Sequence, residues 1–369
     1  FETFTDVPLA AASLAQVHRA TLAGGEDVIV KVQRPGVEAT IESDLEILIN
    51  LVSFLSGRFS REMIYEPADI LDEFRHWIKR ELDFIQEARN IDLFSNFFGD
   101  NENIFIPGVF WNYTTSRVIT MDYIDGIRIS DTEKIESAGM DTKKLARIGT
   151  EVTLEQIFEF GFFHGDPHPG NIFVMPDYVI APMDFGLVGN LDRELSDQLA
   201  ELLSGFVNKN VERIIRLLYN MRVIDDKVDI AGLRLSLSEL IQRYYHMELQ
   251  HIDFAKIRED ISTLITTYHI RLPRNLFLVL KSMALMENIA RTLDPEFDMV
   301  EVSKPYVRTF MLKRWSPSRL RQDIGIFLED VKDLVATSPV NLKRILIKLR
   351  EGRFGLHLDI EKIDDFIHM

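Results

Sequence analysis

The sequence predicts an α+β chain in two lobes, on three observations. Apolar residues alternate with a period of two near the start of the chain, a helical period takes over from Thr142, and a short polar loop sits between apolar strands where the second pattern begins. At roughly 100–200 residues per domain, a chain of 369 residues has room for two lobes and an extension.

A small-residue loop, Pro8–Ala15, precedes a strand over Gln16–Leu22. Gly24-Gly25 turns the chain, and Asp27–Val32 is β-branched and alternating until Arg34-Pro35-Gly36 stops it. Ile41–Leu55 predicts a helix. A longer helix is predicted from Pro67 to Phe98, with Pro67 in its first turn and Ile70, Phe74, Trp77, Ile78, Leu82, Ile85 and Ala88 as its apolar positions. Ile104–Trp111 and Arg117–Tyr123 read as strands ending at an Asp125-Gly126 turn. A helix runs from Thr142 through Phe160, followed by the polar loop 164–171, a strand over 172–174, a turn at Pro176-Asp177 and a strand reaching Asp184. From Arg193 to His357 the pattern is helical. The expected domains are an N-lobe over 1–125, a C-lobe over 126–300 and a basic amphipathic helical extension over 301–369.

Composition narrows the function. Hydrophobic residues make up 46% of the chain, enough to exclude wholesale disorder. The net charge of −16 has the wrong sign for a general nucleic-acid binder, which needs Lys and Arg against phosphates. Cysteine is absent, which excludes disulfides, thiolate metal sites and thiol nucleophiles and fits a reducing cytoplasm. The longest uncharged run, Asn103–Ser116, falls short of the ~20 residues of a membrane span. Phe1 is not an initiator Met and no signal-like segment follows it, so the sequence reads as a stretch of something longer.

Three residues carry the chemistry: Asp166 and Asn171 in H-G-D-P-H-P-G-N, and Asp184 in M-D-F-G. Phosphoryl transfer from ATP requires a carboxylate near the nucleophile and oxygen ligands for Mg²⁺, and this spacing supplies both within one hairpin. Lys31 lies mid-strand. Alone it is explained by a solvated strand edge, but it follows a tight small-residue loop, as a phosphate-contacting lysine follows a phosphate-covering loop. The long helix offers Glu81, Asp83 and Glu87 as partners; Asp83 and Glu87 share a face at i,i+4, and Glu81 points away from it. His164 and His168 flank Asp166 without a third ligand, so His164 reads as an orienting residue of the loop. Met283–Met286 reads as core.

This arrangement resembles the protein-kinase-like fold and, within it, the UbiB/ABC1/ADCK family of atypical kinases linked to ubiquinone biosynthesis. The matching pieces are P-L-A-A-A-S-L-A-Q-V-H (8–18), V-K-V-Q-R-P-G (30–36), E-L-D-F-I-Q-E-A-R-N (81–90), F-F-H-G-D-P-H-P-G-N (162–171) and M-D-F-G (183–186). The resemblance implies ATP or ADP with Mg²⁺ as cofactors. Lys31 binds the phosphates and pairs with Glu87, Asp166 is the catalytic-loop aspartate, and Asn171 and Asp184 hold the metal. Ala10, Ala11, Ala12 and Ser13 cover the phosphates, and Met121, Tyr123 and Ile124 lie where a kinase hinge meets adenine. Glu81 and Asp83 match the E-x-D motif, whose K-x-G-Q partner lies upstream in relatives and has no counterpart here.

Alanines in place of glycines hold the loop backbone further from the nucleotide. The chain passes from D-F-G to a helix near Asp192 with no activation loop and no A-P-E, which favours ATP hydrolysis or a lipid-like acceptor over a peptide. The expected activity is that of an atypical kinase or ATPase supporting isoprenoid-quinone synthesis. The alternatives are an ATP-gated scaffold presenting lipid quinone precursors and a small-molecule kinase of the aminoglycoside/choline type, against which the alanine-rich loop and E-x-D argue. Expected partners are the nucleotide, lipid-like quinone precursors, quinone-biosynthesis proteins and an anionic membrane surface. Residues 304–353 hold twelve Lys/Arg against five Asp/Glu, interleaved with apolar anchors. They predict a peripheral protein on the cytoplasmic face of the inner membrane, and the resemblance adds transmembrane helices beyond Met369.

Overall fold

A computed structural model describes residues 1–11, 14–59, 82–99, 101–225, 227–245 and 254–314. The chain divides into two units, Phe1–Met311 and Leu312–Met369. The first begins with an antiparallel sheet in the order β1 (Thr3–Phe4), β3 (Ala15–Thr21), β4 (Asp27–Gln33) and β5 (Val118–Asp122), with β2 (Ala10–Ala11) paired to β3. Alternation along β4 sorts its side chains between two cores. Val28 and Val30 pack with Ala20 and Leu22 on one face, whereas Ile29 joins Phe84, Ala88, Ile91, Phe94 and Phe98 of helix α2 on the other. Lys31, two residues beyond Ile29, therefore projects toward α2.

Helix α1 (Val37–Phe59) follows β4, and α2 spans Phe84–Phe98. After β5 come β6 (Ile127–Arg128), α3 (Thr132–Ser137), α4 (Thr142–Glu155), a π-helical turn over Gln156–Phe160 and β7 (Phe162–His164). Gly161, at φ +66°, ends that turn in the left-handed region, where a Cβ would lie 2.9 Å from the Leu191 carbonyl oxygen. Strands β8 (Ile172–Met175) and β9 (Val179–Pro182) form a sheet in the order β6-β8-β9, while β7 pairs with β10 (Val188–Asn190). The helices α5 (Arg193–Val207), α6 (Val211–Asn220), α7 (Ile230–Tyr245), α8 (Phe254–Thr267), α9 (Arg274–Leu293) and α10 (Met299–Arg314) complete the described chain. The largest core joins α4 to α9 through Leu145, Leu154, Val279, Met286 and Ile289. No helix among the described residues is long and apolar enough to cross a membrane.

The α+β reading with a helical C-terminal half matches this architecture, but five local expectations are corrected. Pro67–Phe98 is not one uninterrupted helix: Leu82 and Asp83 are non-helical, and α2 starts afresh at Phe84. Asp83 caps α2 instead of sharing a helical face with Glu87. Ile104–Trp111 is not a strand. It passes between two sheets, with Phe105 N–H donating to Ile180 and Val109 bridging to Met121, so neither sheet claims it as a ladder, and Trp111 opens a 3-10 turn. The small-residue loop includes a strand, because Ala10 and Ala11 pair with Val17 and Gln16. The strand expected to reach Asp184 ends at Pro182, two residues before the carboxylate.

Candidate active site

Lys31 and Glu87 come from different elements and meet face to face. The Lys31 Nζ lies 2.9 Å from both Glu87 carboxylate oxygens, 3.8 Å from Asp184 Oδ1 and 5.1 Å from the centre of the Phe84 ring. Strand β4 aims the lysine, and α2 presents Glu87 one turn in from its N-terminus. Glu87 is 3% exposed. Burial pushes its carboxyl up to about 7, and the Lys31 ammonium opposes that rise.

Asp184 sits just past β9, where Gly186 N–H donates to its Oδ1 at 3.0 Å and Asn171 Nδ2 lies 3.4 Å from its Oδ2. Burial alone would raise this carboxyl, but the Lys31 ammonium and the Gly186 N–H outweigh it, and the group lies below the usual carboxylate range. Asp184 therefore stays ionised. An ionised carboxylate beside an amide supplies hard oxygen donors, the set that suits Mg²⁺ shared with phosphates. Phe185 locks this arrangement. Its ring is fully buried against Phe94, with centroids 5.0 Å apart, its N–H lies 3.4 Å from Glu87 Oε1, and its carbonyl accepts from Asn90 Nδ2 at 2.8 Å.

The polar loop 164–171 is held from behind. Gln156 accepts the His164 N–H at 3.0 Å, and His164 Nδ1 accepts the Asp166 N–H at 3.0 Å, which leaves the imidazole proton on Nε2. Burial pushes His164 below its usual range, so it is neutral, the orienting role the sequence indicated. His168 turns its Nδ1 to the Gly170 N–H at 3.1 Å. Asp166 projects at 43% exposure with Lys281 Nζ of α9 at 3.1 Å from its Oδ1.

The remaining expected residues fall in different places. Met121 is buried in β5 opposite Ile29, Ile124 is buried beyond it, and Tyr123 lies beneath the Arg19 guanidinium at 4.2 Å. Ala10 and Ala11 are exposed on β2. Ala12, Ser13 and Glu81 lie outside the described residues. Sequence reasoning missed Asn90 and Lys281. Asn90 carried a signal as a polar residue three positions after Glu87. So did Lys281, which is the one charge between Asn275 and Met286.

The model of the ABC1 atypical kinase-like domain matches residues 1–218, and that of the UbiB helical domain matches residues 237–298. The chain is 35% identical to an uncharacterized Synechocystis protein over 327 residues, covering 88% of this chain and 57% of that one. To the chloroplastic ACTIVITY OF BC1 COMPLEX KINASE 1 of Arabidopsis thaliana it is 36% identical, covering 89% and 48%. To a probable protein kinase UbiB of Xanthomonas euvesicatoria it is 30% identical, covering 97% and 66%. The chain thus spans about half to two thirds of the length of these relatives. Among solved structures, Rv3197 of Mycobacterium tuberculosis in its erythromycin complex superimposes with a TM-score of 0.59 at 23% identity, covering 82% of this chain and 77% of that one, a likeness of fold. With more than half of its residues matched by one domain model, the chain belongs to the ABC1 family of atypical kinase-like proteins.

Proposed function

We propose that this chain binds ATP or ADP with Mg²⁺ and performs phosphoryl chemistry on the nucleotide, as an atypical kinase or ATPase supporting isoprenoid-quinone synthesis. The observation that carries the reading is the Lys31 ammonium held by both oxygens of Glu87 and standing 3.8 Å from Asp184. A buried glutamate that fixes a lysine beside an ionised aspartate is the arrangement phosphate binding needs. Lys31 contacts the α/β-phosphates, Asp166 orients and takes the proton of the attacking hydroxyl or water, and Asn171 and Asp184 hold Mg²⁺. When bound, the cation supplies neutralising charge to the phosphates. The nucleotide lies between the lobes 1–125 and 126–300, its adenine beside Met121, Tyr123 and Ile124 and its phosphates under Ala10–Ser13.

Residues 187–192 alone separate D-F-G from α5, and three of them pair with β7 as β10. A peptide platform does not fit there. A lipid-like quinone precursor or water is the acceptor this favours, with residues 301–369 resting on an anionic membrane surface near quinone-biosynthesis proteins. The same feature favours a second reading, an ATP-gated scaffold that presents such precursors, and ATP turnover measured with and without them separates the two. The nucleotide site itself is tested by thermal shift. Mg²⁺ with ATP should raise the melting temperature of the wild type, and Asp184→Asn should abolish the Mg²⁺-dependent part. An unchanged Mg²⁺-dependent shift in that variant overturns the assignment.

A further inference from the structure

Phosphate-binding sites balance their charges, and the carboxylates here have two separate sources of cation. Lys31 is engaged by Glu87 and Asp184. The loop that carries Asp166 offers none: between Asp166 and Asn171 stand Pro167, His168, Pro169 and Gly170, and the His168 ring is turned to the Gly170 N–H. The cation on Asp166 arrives instead from α9, where Lys281 Nζ lies 3.1 Å from Asp166 Oδ1. Lys281 stands alone in an otherwise uncharged stretch, N-L-F-L-V-L-K-S-M-A-L-M over 275–286, whose apolar residues build the main core.

That helix is fixed against the loop. Ser282 and Met286 wall a cavity of about 30 Å³ together with Gln156, His164 and Pro167. At Gly149 of α4 an added Cβ would meet Met286 Cε at 2.9 Å, so the two helices pack closely.

We propose that Lys281 is a positioning residue of the active site. Its ammonium orients Asp166 and offsets the charge that Asp166 presents toward the terminal phosphate, so the region matched as UbiB helical domain supplies part of the phosphoryl-transfer centre. The inference rests on the nucleotide reading and adds a residue that lies outside the matched kinase-like domain, 1–218. It makes a charge-compensation prediction. Without Lys281, Asp166 repels a third phosphate and leaves a diphosphate almost untouched.

The test is calorimetric binding of Mg²⁺ with ADP and with a non-hydrolysable ATP analogue, which needs no turnover. Lys281→Met should weaken the analogue about tenfold and ADP less than about twofold, as loss of one close charge partner implies. Adding Asp166→Asn to that variant should restore the analogue, and Lys281→Arg should retain wild-type binding. Should Lys281→Met not fold, Asp166→Asn alone still decides: it should tighten the analogue relative to ADP. Equal weakening of both nucleotides, no change in either, or no restoration by Asp166→Asn overturns the proposal and leaves the nucleotide site standing. A wild type that binds neither nucleotide overturns both.

Discussion

Glu87 answers two opposing demands: burial favours its neutral form, and Lys31 favours its charged one. Its folded pKa, raised to about 7, lies above that of an exposed glutamate. Between roughly pH 4.5 and 7 the folded chain therefore keeps a proton that the unfolded chain has released, and the contribution of Glu87 to stability falls as pH rises through that window. The fall is bounded at about 3 kcal/mol by the size of the shift. Glu87→Gln keeps the shape without the titration. The stability of wild type relative to Glu87→Gln should decline steadily from pH 4.5 to pH 8 in urea unfolding, and a difference that stays flat contradicts the raised pKa. At this scale the legibility of the sequence follows chain distance. Asp166, Asn171 and Asp184 share one hairpin, so their spacing reveals them. Lys281 meets Asp166 only through the packing of α9, and nothing in its neighbours on the chain names the loop it reaches.

The elements show where local pattern and tertiary context part. Asp83 reads as a helical residue because Leu82, Ile85 and Ala88 keep a helical period through it. Yet its backbone is extended at φ −105°, ψ 93°, and its carboxylate accepts the Ile85 N–H at 3.1 Å, so it is the N-cap that starts α2. The period ran on because apolar spacing alone does not register a change of axis. Ile104–Trp111 misleads in the opposite sense: its apolar run looks like a strand, but Pro107 has no N–H to give and the segment divides its hydrogen bonds between β9 and β5. Strands β4, β5 and β8 and helix α4 were legible, since each buries a periodic face in one core. The cap makes a prediction. Asp83→Ala should lower stability by ~1 kcal/mol and Asp83→Asn by a few tenths, since asparagine still accepts the N–H. Equal losses in thermal unfolding would assign Asp83 a role that needs its charge instead.

Over the whole molecule, charge and fold are segregated. The hydrophobic cores of the described residues lie within Phe1–Met311, whereas most of the twelve basic residues of 304–353 follow Met311, and the rest of the chain carries −23. Residues 315–369 lie outside the described residues, so the membrane expectation is carried by sequence: Leu342, Ile345, Leu346 and Leu349 recur at helical spacing beside Lys343, Arg344 and Lys348. Each basic residue near an anionic surface contributes ~1 kcal/mol, so a cluster of this size binds measurably and releases as salt screens it. A chain ended at Met311 separates the two halves of the proposal. It should unfold cooperatively and keep its Mg²⁺-dependent shift with ATP, because Lys31, Glu87, Asp166, Asp184 and Lys281 all lie before the cut. It should also lose sedimentation with anionic vesicles. In the full chain, a Lys343/Arg344/Lys348 triple-Glu variant should weaken that sedimentation, and added salt should reverse it. Equal binding of the full chain to neutral and anionic vesicles, or undiminished binding by the shortened chain, removes the basic stretch as the membrane contact.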